Sequence, residues 1–261
     1  MSTFAPEWLS LREKADAEAR ALDLVERVRE IDLNRDPLVV RDLGCGTGSL
    51  GRWLAGRLGG PQHWVLHDRD PRLLSIAAAT MSGVTIETHE GDVTALTAAD
   101  LAGTSLVTAS ALLDLLTAGE VDALAAACVG AGCPALFTLS VAGRVEFDPA
   151  EPLDEDFAAA FNAHQRRVVD GRRLLGPDAV EAAAEAFARR GAEVVTSPSP
   201  WRLGADQAAL AGEWLRGWVD AAVEQEPRLA ADAPGYVWRK LDHGPLVVVH
   251  HTDLLAVPRR G

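Results

Sequence analysis

Residues 39–54 read VVRDLGCGTGSLGRWL. An apolar pair, Val39 and Val40, leads into Asp42; glycines follow at 44, 46 and 48, and Leu50, Trp53 and Leu54 fall at helical spacing. This spacing predicts a strand, a tight turn and a helix start, with glycines that let the backbone approach a ligand closely. GTGSLG, residues 46–51, satisfies G-x-G-x-x-G, a signature too short to identify a ligand by itself. Asp42 narrows the choice. A diphosphate is held by backbone N–H groups at a helix N-terminus, so a carboxylate beside it costs energy; a cationic ligand end, an ammonium or a sulfonium, reverses that sign.

Two further acids follow the same logic. Asp68 ends the apolar run WVLHD, where a carboxylate can accept ribose hydroxyls, as it also does in NAD sites. Asp92 lies in EGDVTAL, placed to accept a hydrogen bond from an adenine amino group. Asp70 precedes Pro71 and reads as the cap of the next helix.

A second set could move protons: Asp114 in SALLDLL, His164 in FNAHQRR and His250 in HHTD. His164 reads either as a general base or as a surface or capping residue. On a strand His250 and His251 point to opposite faces, so no metal site is expected. Trp8, Trp201, Trp214 and Trp218 could line an acceptor pocket, although tryptophans at helical spacing usually pack a core. Arg12 and Arg20 reach an anionic ligand only if the N-terminal helix folds over the site.

The elements that must position these groups follow from periodicity. Glu7–Leu33 reads as one or two amphipathic helices. From Leu38, short apolar runs at 38–43, 64–68, 84–88, 105–110 and 134–140 alternate with helical stretches at 49–58, 71–81 and 119–129. Repeated βα units predict an α/β fold, a doubly wound, Rossmann-like and mostly parallel sheet. After Ser140 the rhythm breaks into an acidic loop, EFDPAEPLDED, and a helix at 157–169. Then come a turn at DGRRLLGPD, a helix at 178–190, a strand at 193–196, turn-rich SPSPWRLG and a helix at 206–226. PLVVVHHTDLLAV is the last strand. The expected organisation is an N-terminal helical cap over 1–36 and one domain over 37–261, with helical cap segments at about 145–176 and 200–243.

Composition bounds the partners. The chain has 261 residues, 48% hydrophobic, and a net charge of −13, the wrong sign for neutralising nucleic-acid phosphates. No run reaches the roughly 20 apolar residues of a membrane span, and no signal peptide is evident, so a cytoplasmic protein is expected. Three scattered cysteines suit a reducing compartment.

In order and spacing, VVRDLGCGTGSLGRWL, WVLHDRDPRLL and EGDVTAL resemble the first three motifs of class I S-adenosylmethionine-dependent methyltransferases, over residues 38–140. The resemblance implies a seven-stranded sheet of order 3-2-1-4-5-7-6 with the seventh strand antiparallel. It implies S-adenosyl-L-methionine as cofactor: Gly44, Gly46 and Gly48 at the methionine part, Asp68 at the ribose, Asp92 and Val93 at the adenine, and Ser110 bordering the transfer site. Asp42, Cys45 and Arg69 complete the cofactor set. SALLDLL lacks the Asn/Asp-Pro-Pro-aromatic turn of nucleic-acid amine methyltransferases, and Cys133-Pro134 reverses the Pro-Cys order of the cytosine C5 enzymes. The expected activity is methyl transfer to a small organic acceptor, with His164, Asp114 and His250 as the polar groups nearest the chemistry. The alternatives are a module that holds the cofactor without turning it over, and an NAD-dependent oxidoreductase. The expected partners are a small-molecule acceptor, no nucleic acid, no membrane, and a second copy in a candidate homodimer.

Overall fold

The computed structural model describes residues 5–31, 33, 36–242, 244 and 246–259; the first four residues, and Pro245 at the head of the last expected strand, lie outside them. Two helices, α1 (Pro6–Ala19) and α2 (Leu22–Glu30), precede the sheet. The βα rhythm then runs β1 (Leu38–Leu43), α3 (Ser49–Ala55), β2 (Gln62–Asp68), α4 (Pro71–Thr80), β3 (Thr85–Glu90), β4 (Leu106–Ser110), α5 (Ala118–Gly130) and β5 (Ala135–Asp148). Local chemistry sets the helix starts. Asp70 caps α4 by accepting from the Arg72 amide at 2.9 Å, with Pro71 in the first helical position, and Thr117 and Glu120 form a reciprocal capping box on α5.

The rest of the chain is α6 (Leu153–Gln165), β6 (Val168–Val169), β7 (Arg172–Arg173), α7 (Ala179–Ala188), β8 (Glu193–Pro198), β9 (Trp201–Leu203), α8 (Ala208–Gln225), α9 (Ala233–Asp242) and β10 (Leu246–Val257). The main sheet has the order β3-β2-β1-β4-β5-β10-β8, with β10 antiparallel to both β5 and β8. That is the doubly wound order expected, β10 and β8 standing as the seventh and sixth strands.

The sheet departs from expectation in two places. It has eight strands, because β9 pairs with the first half of β10 where SPSPWRLG reads as turn. Trp201 and Leu203 point inward and Arg202 outward, an alternation too short to register as a strand. β5 also continues to Asp148, through residues that read as loop, because the twelve-residue β10 pairs along it. The register passes from Val249↔Val145 to His251↔Val141, so β5 bulges between them; Gly143, at φ +69°, supplies the left-handed residue.

Apolar cores fill both faces of the sheet. Phe137, Leu124, Ala183 and Phe187 pack beneath α5 and α7, and Leu24, Leu54, Trp64 and Leu66 beneath α2, α3 and α4. A third core joins the extended β5–β10–β9 ribbon to α6, α8 and α9 through Phe147, Phe157, Trp218 and Tyr236, with the Phe157 and Tyr236 rings stacked at 4.4 Å. No helix among the described residues is long and apolar enough to cross a membrane.

Asp253, buried on β10, ties the N-terminal helices to the sheet. Its carboxylate accepts from the amides of Ala21 at 2.9 Å and Leu139 at 2.7 Å and from the Ser199 hydroxyl. Asp253→Ala leaves these buried donors unpaired and should cost about 2–5 kcal/mol of unfolding free energy, measured by denaturant titration. A loss below about 0.5 kcal/mol would contradict this role.

Candidate functional site

A cavity of about 340 Å³ opens at the carboxyl ends of β1, β2 and β4, the edge where open α/β sheets bind ligands. The β1–α3 turn forms its floor. Gly44 and Gly46 sit at φ +63° and +54°, and a Cβ at either would come within 3.2 Å of Leu112 or 3.3 Å of Leu9. Both conformation and space therefore demand glycine there.

Asp42 reaches the cavity from the end of β1, yet its residue is almost wholly buried. The register places it opposite Thr108, whose hydroxyl donates to Oδ1 at 2.7 Å; Oδ2 is buried without a partner among the described residues. Burial raises its pKa to about 7, against the Thr108 hydrogen bond and the charge of Arg20, while Asp68 pushes the same way as burial. Asp68 accepts from the backbone N–H of Gly46 at 2.9 Å and of Asp70 at 3.0 Å, so it braces the glycine turn while lining the cavity.

Cys45, Arg69, Val93 and Ser110 also border this cavity. Two expected cofactor residues do not. Gly48, at φ +83°, caps α3 and packs on α4, where a Cβ would lie 3.0 Å from that of Ala77. The Asp92 carboxylate pairs with Arg69 and accepts from Thr94, and the Arg69 hydrogen bond holds its pKa down at about 2; its neighbours Gly91, Val93 and Thr94 form the wall instead.

The N-terminal helix folds over the opening, so Leu9, Arg12 and Asp16 of α1 form its roof. Arg12 donates from Nε to both Asp16 oxygens, at 3.1 and 3.0 Å, and lies 5.0 Å over the Trp201 ring. Arg20 is out of solvent and donates to Ser49 at 3.0 Å and Ser110 at 3.4 Å. Arg167 and Arg172 enter from the β6–β7 hairpin region, whose turn residues Asp170 and Gly171 both have positive φ. The Asp-Gly pair flanked by valines and arginines is the sequence signal that marks this hairpin.

A second cavity of about 280 Å³ shares Arg12, Ala111, Leu115, Arg167 and Leu174 with the first. Asp114, His164 and His250, remote in sequence, all line it. Burial raises Asp114 to about 6, and Oδ1 is buried without a partner among the described residues. Burial, then the Arg167 charge, lowers the pKa of His164, which bonds Glu224 at 3.3 Å. His250 pairs with Glu146 at 3.0 Å. His251 is buried against Trp201, its pKa lowered to about 3 chiefly by burial, and the two histidines border one cavity beside the β5 bulge despite adjacent positions on β10. Trp8, Trp201 and Trp214 line this cavity, whereas Trp218 belongs to the third core.

Residues 40–131 match a sequence family described as a methyltransferase domain. No curated protein sequence matches the chain. Among solved structures, the YcgJ protein of a Bacillus species is 13% identical over 92% of this chain and 98% of its own, with a TM-score of 0.49. The cyclopropane synthase MmaA2 of Mycobacterium tuberculosis is 12% identical over 90% of this chain and 83% of its own, with a TM-score of 0.48. Phosphoethanolamine N-methyltransferase 2 of Haemonchus contortus, in complex with S-adenosyl-L-methionine, is 14% identical over 98% of this chain and 58% of its own, with a TM-score of 0.47. The assignment of residues 40–131 rests on the domain match.

Asp42 gives the free protein a pH signature. Its folded pKa, near 7, lies above that of the unfolded carboxylate, so burying it costs stability as pH rises from about 4 to 7 and by a constant amount above that. Measured against Asp42→Asn by denaturant titration, wild type should lose a few kcal/mol of relative stability across that window. A gap that does not change with pH would contradict the buried state of this acid.

Proposed function

We propose that the chain is a class I S-adenosylmethionine-dependent methyltransferase whose first cavity takes the cofactor and whose adjoining one takes a small organic acceptor, a reading supported by the match of residues 40–131 to a methyltransferase domain. The residues fit that cofactor. Gly44 and Gly46 leave the close approach that a side chain would block, and Asp42 keeps a buried oxygen without a partner beside the turn. Asp68 spends two acceptor sites on backbone amides, which leaves lone pairs for ribose hydroxyls. At the far wall Val93 contacts the adenine, and Asp92 acts by fixing Arg69. When bound, the cofactor supplies a methyl group on a positively charged sulfur.

The chain's own work is then positional. Methyl transfer is an in-line displacement, so the acceptor atom must be held at roughly 3–3.5 Å from the methyl carbon with water kept out. The α1 roof of Leu9, Arg12 and Asp16 excludes water, and the shared wall at Ala111 and Leu115 lets the two ligands meet. Asp114, ionised above about pH 6, and His164, whose pKa burial lowers, are each able to take a proton from the acceptor. His250, held by Glu146 and partly exposed, serves the rim.

The observation that carries this reading is the pair of cavities joined by common walls, acids of the sheet edge in one and proton-accepting groups in the other. An NAD-dependent reading would set a diphosphate against Asp42 and Asp68. Calorimetry tests the choice: S-adenosylhomocysteine should bind at micromolar affinity and NAD not at all, and the reverse ends the proposal. Asp68→Ala should weaken that binding by about 1–3 kcal/mol through loss of a charged acceptor and of the brace on Gly46. Unchanged affinity would show the wrong acid was chosen.

A further inference from the structure

Asp114, Gln165 and His251 line the second cavity, and each has one buried side-chain atom, Asp114 Oδ1, Gln165 Oε1 and His251 Nδ1, without a hydrogen-bond partner among the described residues. Trp8, Phe161, Trp201 and Trp214 give the same cavity flat apolar surface. Its volume, about 280 Å³, is at the small end of ligand sites and suits one or two fused rings.

Charge decides what else the ligand carries. Asp114 is the one carboxylate among the lining residues, against the guanidiniums of Arg12, Arg144 and Arg167. Arg12 is held by Asp16, and Arg144 by Glu146. Arg167 donates to the His164 carbonyl at 3.0 Å and contacts its ring at 3.2 Å, and pairs with no carboxylate among the described residues. A cationic amine would meet the Arg167 guanidinium, which no carboxylate among the described residues neutralises, and a plain hydrocarbon would leave that charge without a counter-ion.

We propose that the acceptor is a planar aromatic hydroxy acid, its carboxylate received by Arg167, its ring packed among the indoles and its hydroxyl donating toward Asp114. This rests on the methyl-transfer reading above and specifies its substrate. The hydroxyl oxygen forms the new carbon–oxygen bond as the methyl carbon–sulfur bond breaks; the electron pair of that bond stays on sulfur, and the hydroxyl proton passes to the Asp114 carboxylate. A phenolic proton is weakly acidic, the case in which a positioned base helps.

The test compares hydroxynaphthoate, naphthol and naphthylmethylamine by calorimetry, without cofactor and with S-adenosylhomocysteine. Hydroxynaphthoate should bind roughly 10- to 100-fold more tightly than naphthol, the value of one charge-assisted pair, and the amine not measurably. Arg167→Gln should abolish the preference for acid over phenol, and Arg167→Lys, which keeps the charge, should restore most of it. With S-adenosylmethionine the product should be the methyl ether, and Asp114→Asn should lower kcat more than it changes KM and remove a kinetic step near pH 6. Equal binding of acid and phenol, a preference that survives Arg167→Gln, or tightest binding of the amine overturns the proposal. If S-adenosylhomocysteine binds and no naphthalene ligand does, this inference fails while the methyl-transfer reading stands; if S-adenosylhomocysteine itself does not bind, both fail.

Discussion

The guanidinium of Arg20, out of solvent between the N-terminal helices and the sheet edge, lies in the field of three carboxylates, Asp16, Asp42 and Asp253. Burial lowers the pKa of Arg20 and raises those of Asp42 and Asp253, driving these three towards their neutral forms. Together they compensate, because the charge of Arg20 opposes both acid shifts and the acids oppose its own. Arg20 is the residue after α1, Asp42 ends β1, and Asp253 sits on β10, so the compensation is available only when the N-terminal segment lies across the sheet edge. Ala21, donating its amide to Asp253, pins the same junction. The roof over the first cavity is therefore an electrostatic consequence of the acids beneath it.

The second cavity depends on a different constraint, the extra length of β5 and β10. A standard doubly wound sheet ends near Ser140; here the two strands run on as a ribbon, and β9 adds to its edge. One face of that ribbon is apolar, and α6, α8 and α9 cover it through Phe147, Phe157, Trp218 and Tyr236. Lys240 is buried in the same region because Asp154 and the Pro149 carbonyl hold its ammonium at 2.7 and 2.9 Å. Covering the ribbon brings His164, from α6, beside His250 and Asp114, which the sequence separates widely.

The part of this arrangement legible in the sequence is the part governed by local periodicity. The βα rhythm, the glycine turn and the positions of Asp42 and Asp68 at strand ends follow from alternation and spacing, and Asp70 as a cap follows from its place before Pro71. What the sequence did not disclose is set by pairing at a distance. VEFD reads as loop because only the match with β10 makes it strand, and SPSPWRLG hides β9 because three residues are too few to show a period. Arg12 and Arg20 remained ordinary helix arginines until the fold put a sheet edge under them. Asp92 and Gly48 illustrate the reverse: each stands at its place in the motif, yet neither borders the first cavity, because Arg69, which does, takes up the Asp92 carboxylate, and Gly48 packs on Ala77.

The net charge of −13 argues against a polyanionic partner, yet says nothing of the field at any one point. The two cavities show the difference. Four carboxylates, Asp16, Asp42, Asp68 and Asp70, stand with four guanidiniums, Arg12, Arg69, Arg167 and Arg172, around the first, whereas three guanidiniums against one carboxylate border the second. Arg12 and Arg167 stand in the shared wall, and the formal charge of the lining passes from balanced in the first cavity to positive in the second. An anion in the second cavity therefore meets favourable charge, and a cation there meets like charge. The formal charge around each cavity is thus set by its own lining residues, and the total for the chain carries no trace of the difference.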